Sequence, residues 1–141
     1  MRADAGSTIH GLYAAWRIGD IGAVIAYCTD DIRYAVHSAD GRYDLSVAAI
    51  GKADVRAYLT AVCASWEFVQ IEPGPLTIAD GIVREYSRFR SRHRKSGLVL
   101  EGGRRHVWAM RDNLVASCSE YQDFGTLRAF MQLTDAHGRT L

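Results

Sequence analysis

The sequence predicts one α+β domain, in which N-terminal helices and a strongly bent antiparallel sheet enclose a pocket. Helical periodicity of apolar residues fills the first half of the chain, and strand-like alternation fills most of the second half. Helices followed by consecutive strands are typical of domains whose helices pack on one face of the sheet. The length of 141 residues suits a single domain, and we place its core at about residues 8–133.

Three helices are predicted in the first half, each from an apolar stripe at helical spacing. Gly19 ends the first helix, and Asp20 is placed to cap the second by accepting a hydrogen bond from a backbone N–H. The third helix is expected from about Lys52 to Trp66. The stripes are Ile9, Leu12, Tyr13 and Trp16; Ile21, Val24, Ile25 and Cys28; and Val55, Leu59, Val62 and Trp66.

Alternation of apolar and polar residues predicts the strands. Pro73 and Pro75 interrupt one stretch, so any strand there must be broken or lie at a sheet edge. Asp112 and Asn113 provide a tight turn, because Asn tolerates positive φ. The predicted segments are a strand over 32–36, a loop over 38–50, a broken stretch over 68–79, a hairpin arm over 82–93, a strand over 114–123, and a short helix or tail over 127–133. The hairpin turns near Ser96 and Gly97, and its return arm includes Val107, Trp108 and Met110.

Composition argues against several classes of protein. The net charge of +1 gives no overall attraction to nucleic acid or to an anionic membrane. No stretch approaches the roughly 20 apolar residues of a membrane span, and the polar segment Met1 to Ser7 lacks the apolar run of a secretion signal. Cys28, Cys63 and Cys118 form neither a disulfide framework nor a C-x-x-C motif. We therefore expect a cytoplasmic protein without membrane contact.

Three short motifs carry a family resemblance: AAWRIGD (Ala14 to Asp20), TDDIRY (Thr29 to Tyr34) and SEYQD (Ser119 to Asp123). With the order of elements, they resemble the nuclear transport factor 2-like superfamily, and most closely its SnoaL-like polyketide cyclases and ketosteroid isomerases. The resemblance implies a cone-shaped, cystatin-like fold, a homodimer formed through the outer sheet face, and a pocket lined by the first helix and the inner sheet face. Members of this superfamily include isomerases, cyclases, dehydratases, epoxide hydrolases and non-catalytic binders, so the fold alone implies no single activity.

The catalytic positions of the ketosteroid isomerases are not retained. Where that family has an oxyanion tyrosine on the first helix, this sequence has Leu12. The position of the general-base aspartate holds Val36, and that of the second oxyanion donor holds His106. The resemblance therefore does not imply true ketosteroid isomerase activity.

The limonene-type epoxide hydrolases are a better match. Their Arg-x-Asp motif corresponds to Arg104 and His106, with histidine in place of aspartate. Their second catalytic aspartate corresponds to Glu120, and their first-strand tyrosine to Tyr34. A SnoaL-type comparison favours Asp123 instead of Glu120.

Strand alternation predicts which polar side chains share the pocket, because every second residue of a strand faces the same side. If Trp108 faces inward, so do Arg104 and His106. The tight turn between the last two strands then places His106 beside Cys118 and diagonal to Glu120. These positions bring an imidazole close to a carboxylate.

An imidazole beside a carboxylate in a dry pocket is a plausible acid–base unit, because the carboxylate fixes the tautomer and raises the histidine pKa. Arg104 would stabilise an oxyanion or hold an acidic substrate group. Alternatively, the pair only satisfies its own buried charges. The catalytic candidates are His106, Glu120 and Arg104, and the pocket-lining candidates are Leu12, Trp16, Tyr34, Val36, Trp108, Met110, Cys118 and Gln122.

The remaining histidines and arginines are interpreted as surface residues. A metal site of His37, His106 and Glu120 can be drawn, but we do not expect it, since His37 has the opposite strand parity from Tyr34. No cofactor is expected either. His10 and His137 are expected at the surface. Arginines on one face of the hairpin arm favour a solvated or edge-protecting face over a nucleic-acid site. They are Arg84, Arg88, Arg90 and Arg92.

Two functions follow from these observations. The first is a cofactor-free enzyme of isomerase, cyclase, dehydratase or epoxide-hydrolase type, acting by acid–base chemistry on a small apolar organic molecule. The second is a non-catalytic ligand-binding or protein-interaction domain of the same fold.

Overall fold

A computed structural model describes residues 4–38 and 47–140 of the chain. Four helices and seven strands make up the fold in this part of the sequence. The helices are α1 (Ala5–Arg17), α2 (Ile21–Ala26), α3 (Lys52–Ser65) and α4 (Phe124–Thr140). The strands are β1 (Cys28–Ser38), β2 (Val47–Ile50), β3 (Trp66–Ile71), β4 (Thr77–Ala79), β5 (Ile82–His93), β6 (Val99–Arg111) and β7 (Leu114–Gln122).

The strands form one curved, open sheet, and the predicted α+β fold class is confirmed. Its order is β2-β1-β7-β6-β5-β3, and β4 pairs with β5. All described pairs are antiparallel except β1 with β7, which are parallel. The long strands β5, β6 and β7 lie side by side, so residues of all three project onto the same inner face.

Four predicted segments differ from the structure. The third helix ends at Ser65, so Trp66 begins β3 and does not lie on the helical stripe. The second helix ends at Ala26 and β1 begins at Cys28, so Cys28 lies in a strand and not on a helical stripe. Of the loop predicted over 38–50, residues 39–46 lie outside the described residues, whereas Val47–Ile50 is a strand. Four residues are too few to show alternation, and this strand is instead defined by its pairing with β1. The last helix runs over Phe124–Thr140, longer than predicted.

Helices α1, α2 and α3 cover the inner face of the sheet and form the core with it. The apolar stripe of α1 is buried, as predicted. Asp20 caps α2, since its carboxylate accepts a hydrogen bond of 3.1 Å from the backbone N–H of Ala23. Val55 and Leu59 of α3 are buried against the same core. None of the helices within residues 4–38 and 47–140 has the length and hydropathy needed to span a bilayer.

Candidate functional site

His106 lies between two carboxylates at the centre of the inner sheet face. Its Nε2 is 2.8 Å from Oε1 of Glu120, and its Nδ1 is 3.1 Å from Oε1 of Glu85. The three residues come from adjacent strands: His106 on β6 pairs directly with Glu85 on β5 and with Glu120 on β7. All three side chains are buried, so the charged groups depend on one another and not on bulk water.

The direct pairing of His106 with Glu120 corrects the predicted register. The sequence predicts His106 beside Cys118, but in the structure Cys118 pairs with Trp108. The register shifts where Ala109 pairs with Ser117 and Met110 with Val115, because β7 contains one additional residue, Ala116, at this point. A bulge of this kind shifts the alternation of its strand by one residue, so the buried positions of β7 change from the odd-numbered Val115 to the even-numbered Cys118 and Glu120.

The network fixes the charge states of His106 and Glu120. Burial opposes the charged form of Glu120, but the nearby Arg104 guanidinium and the hydrogen bond from His106 lower its pKa to about 2. Burial also opposes the imidazolium, but hydrogen bonds to Glu120 and Glu85 raise the pKa of His106 above its ordinary value. Glu120 is therefore a carboxylate at neutral pH, and the hydrogen bonds of His106 shift the pKa of its imidazole toward the protonated form.

Two tyrosines hold the outer ends of this network. Tyr34 donates a hydrogen bond of 2.9 Å to Oε1 of Glu120, and Tyr13 donates one to Oε1 of Glu85. The Tyr13 hydroxyl also lies 3.1 Å from Nδ1 of His106. Burial, followed by the neighbouring carboxylates, raises the pKa of both phenols, so they remain protonated donors.

Glu85 is the charged site residue that the sequence does not identify, and Tyr13 is predicted only as part of the apolar stripe of α1. In the sequence, Glu85 is the single acidic residue among the arginines of the hairpin arm, so it does not stand out as a site residue. Its position in the alternation provides the missing signal, because Glu85 shares its parity with the apolar Val83 and Phe89 and not with the arginines. The structure shows these positions buried and Arg84 and Arg88 exposed.

Two adjoining cavities lie beside the network. The larger has a volume of about 110 Å³ and the smaller about 20 Å³. They share Trp16, Tyr34, Arg104 and Glu120, and His106 lines only the smaller one. The rest of the wall of the larger cavity is mostly aromatic and apolar and includes Tyr58, Trp66, Phe68 and Leu127. Its polar members are Ser91 and Gln122.

A third cavity, of about 140 Å³, adjoins the 110 Å³ cavity on the side of α4. The name "larger cavity" is kept for the 110 Å³ one. The two have Leu100, Gln122 and Leu127 in common. Leu127 belongs to α4, and Phe130 of the same helix packs against Trp66 with 5.6 Å between ring centroids. The terminal helix therefore forms part of the wall at this end.

Arg104 presents a fixed cation to the cavities. Its guanidinium lies 4.0 Å from the centroid of the Phe89 ring, an arrangement in which cation and ring attract each other. Phe89 in turn lies against Gly102, where a Cβ atom would meet the ring at 3.1 Å. Within the described part of the chain, no carboxylate oxygen lies within 4.0 Å of an Arg104 nitrogen, and Nε is buried without a hydrogen-bond partner.

The other predicted pocket residues occupy two kinds of position. Val36, Met110 and Cys118 pack in the hydrophobic core and line none of the three cavities, because the helices cover the sheet at these points. The remaining candidates, Leu12, Trp16, Tyr34, Trp108 and Gln122, all line the larger or the smaller cavity.

Two alternative site residues lie away from the cluster. His37 stacks on Tyr121 on the outer sheet face, and residues 4–38 and 47–140 contain no group of three side chains arranged to hold a metal. Asp123 is exposed and accepts a hydrogen bond of 3.0 Å from the backbone N–H of Thr126 in α4. His10 is exposed, and the side chain of His137 lies outside the description.

The predicted arginine face is exposed and partly neutralised. Arg90 forms an ion pair of 2.8 Å with Glu101, and Arg92 forms one of 3.0 Å with Glu67. Pairing of this kind at the surface is typical of a solvated sheet face.

Comparison with known proteins places the fold. No protein-family model matches the chain, and no curated protein matches it. TerC, crystallised with polyporic acid, matches with a TM-score of 0.74 and 20% identity, covering 94% of this chain and 99% of TerC. A nuclear transport factor 2-like protein from Burkholderia xenovorans matches with a TM-score of 0.72 and 20% identity, covering 89% and 94%.

A protein with a ketosteroid isomerase-like fold from Catenulispora acidiphila, in complex with trimethylamine, matches with a TM-score of 0.70 and 16% identity, covering 82% of this chain and 84% of that one. SnoaL-like proteins are among the further matches. At these identities the likeness concerns the fold and leaves the activity open. The chain has the nuclear transport factor 2-like fold, which it shares with SnoaL-like and ketosteroid isomerase-like proteins.

Proposed function

We propose that this protein binds a small organic molecule and carries out acid–base chemistry on it, of the isomerase, cyclase, dehydratase or epoxide-hydrolase type. One observation carries the proposal: an imidazole is held between two carboxylates, and one of these carboxylates lines a cavity. The proposed catalytic residues are Glu120, His106 and Arg104.

The chemistry follows from the charges of the network. The pKa of Glu120 is held at about 2, so its side chain is a carboxylate at neutral pH. Glu120 is also the member of the network that lines both cavities, so it is the group that would accept a proton from a ligand and return it; because its pKa is low, return of the proton is the favoured direction. Arg104 would stabilise negative charge that develops on the ligand. A positioned acid–base group of this kind contributes about 10²–10⁴-fold to a rate.

Ligands in structures of the same fold support a small-molecule site. TerC was crystallised with polyporic acid, and the Catenulispora acidiphila protein was crystallised with trimethylamine. An artificial cavity of about 150 Å³ accommodates benzene. The larger cavity and its continuation toward α4 measure about 110 and 140 Å³, so together they have room for a molecule of one or two fused rings.

The test uses 5-nitrobenzisoxazole, a general probe for a base in an apolar cavity. Removal of its ring C–H proton breaks the N–O bond and yields a nitrile and a coloured phenolate. We expect the protein to accelerate this reaction over carboxylate buffer, and Glu120→Gln to lower kcat/KM by about 10²–10⁴-fold. Glu72→Gln is the control, because Glu72 is exposed and pairs only loosely with Arg17 at 3.8 Å.

Equal rates for the protein and for Glu120→Gln would exclude Glu120 as the base. A rate no higher than that of the buffer would favour the non-catalytic alternative, in which the buried charges only hold the strands together. Melting temperatures of all variants establish that each is folded.

We also propose that the protein is a cytoplasmic homodimer that pairs through its outer sheet face. Small, half-buried side chains occupy the centre of that face, including Val107, Ala109, Ser117 and Ser119. The cysteines Cys28, Cys63 and Cys118 are unpaired, which suits a reducing compartment. Sedimentation equilibrium of the protein and of Ser119→Arg tests the dimer: the protein should have twice the mass of the variant, and a monomeric protein at micromolar concentration would contradict it.

A further inference from the structure

The unsatisfied polar groups around the cavities share one chemical character. Among the described residues, five buried side-chain nitrogen or oxygen atoms lack a hydrogen-bond partner. Four of them, Trp16 Nε1, Ser91 Oγ, Arg104 Nε and Trp108 Nε1, belong to residues that line the larger or the smaller cavity. The fifth, Glu85 Oε2, belongs to a residue that lines neither.

All four groups at the cavities can donate a hydrogen bond. The indole and guanidinium nitrogens donate only, and the serine hydroxyl donates or accepts. Buried donors are nearly always paired in folded proteins, so a cluster of unpaired ones calls for an explanation. A ligand with acceptor oxygens in the larger cavity would satisfy those of Trp16, Ser91 and Arg104, which all line it.

The charge of Arg104 favours an anionic acceptor over a neutral one. A guanidinium is a cation with several donor N–H groups, and the contact of this one with the Phe89 ring, 4.0 Å from the centroid, restrains its position. Glu120 does not neutralise it by direct contact, because its oxygens accept hydrogen bonds from His106, Tyr34 and Gln122. A carboxylate or enolate oxygen of a ligand would form the charge-assisted hydrogen bond that Arg104 lacks.

We propose that the ligand is a small planar organic anion, whose carboxylate or enolate oxygens accept hydrogen bonds from Arg104, Trp16 and Ser91. Its flat, apolar part would lie among the aromatic side chains of the larger cavity and extend toward α4. The inference rests on the proposed function, since it concerns the same cavity. It also makes the expectation of a small apolar ligand more specific, because one end of the ligand carries the acidic group that Arg104 was expected to hold.

Benzoate and benzamide provide a matched pair of probes, because they have nearly the same shape and differ in charge. Isothermal titration calorimetry at neutral pH compares their affinities for the protein, for Arg104→Gln and for Arg105→Gln. Arg105 is the matched control: it is adjacent in sequence but lies over Tyr121, 5.2 Å from the ring centroid, on the outer face. We expect the protein to bind benzoate about tenfold or more tightly than benzamide.

This preference should disappear in Arg104→Gln and persist in Arg105→Gln. Ser91→Ala is a second variant in case Arg104→Gln does not fold, since it removes only a buried, unpaired hydroxyl. It should weaken benzoate binding several-fold and leave benzamide binding nearly unchanged.

Three results would overturn the inference: equal affinity of the protein for both probes, equal loss of the preference in Arg104→Gln and Arg105→Gln, or no saturable binding of benzoate at millimolar concentrations. Neither probe undergoes a reaction, so this test is independent of turnover. A failure here leaves the benzisoxazole result standing, and a failure of that assay leaves the anion site standing.

Discussion

Replacing Glu120 with glutamine is the most informative single perturbation of the buried network. Glutamine has almost the same shape, so it keeps one acceptor oxygen for His106 and Tyr34 but removes the negative charge. It also places an amide N–H₂ where the carboxylate accepts a hydrogen bond from Gln122. The imidazolium of His106 then retains only Glu85 as a counter-charge.

The magnitude follows from the pKa of Glu120, which falls from 4.5 to about 2 on folding. Because the folded pKa is the lower one, ionised Glu120 stabilises the fold above pH 4.5, and this contribution is lost as the pH falls toward about 2. The shift corresponds to about 3 kcal/mol at pH 7 and about 2 kcal/mol at pH 3.5. Glu120→Gln should lower the free energy of unfolding by roughly these amounts.

Urea denaturation followed by tryptophan fluorescence at the two pH values measures both differences. Glu72→Gln provides the control and should change the free energy of unfolding by at most about 1 kcal/mol, as an exposed ion pair does. The reasoning is refuted if Glu120→Gln is as stable as the parent protein at pH 7. A difference that stays the same or grows on acidification would refute it equally.

Three further predictions concern the surroundings of the network. Tyr34→Phe removes the 2.9 Å hydrogen bond to Glu120 and should lower the free energy of unfolding by about 1–3 kcal/mol in urea titrations, with no change counting against a structural role for that hydroxyl. Gly102→Ala should displace the Phe89 ring and weaken benzoate binding in calorimetry, and an unchanged affinity would show that the ring does not position the anion site. Asp20→Ala should destabilise the protein by about 0.5–2 kcal/mol through loss of the α2 cap while leaving the benzisoxazole rate unchanged; a slower rate would link the cap to the site.

Alternation and helical periodicity predict most of the fold because both report local burial. The bounds of β5 agree with its predicted arm of 82–93, and the α1 stripe is buried as expected. The parallel pairing of β1 with β7 joins segments far apart in sequence, so no local pattern reports it. No local pattern reports the strand Val47–Ile50 either, because it is defined by its pairing with β1 and four residues are too few to show a period.

The sequence predicts the histidine, glutamate and arginine of the candidate site. It does not predict Glu85, and it gives the wrong register between the last two strands. Parity identifies Arg104 and His106 as neighbours on one face, and both line a cavity. The extra residue Ala116 has no sequence signature, so the opposition of His106 and Glu120 becomes visible only in the paired strands. Glu85 lies among arginines in the sequence, and only the alternation of the strand separates it from them.

The three strands that hold the charged groups are central to the sheet, whereas one wall of the cavity belongs to α4 at the end of the chain. The charged residues and the residues that set the cavity volume therefore lie in different parts of the sequence. Exchange of Leu127 for a smaller or larger residue would change the cavity volume without altering any ionised side chain. Under the proposed function, related chains would be able to diverge in the molecules they bind while keeping the same charged residues.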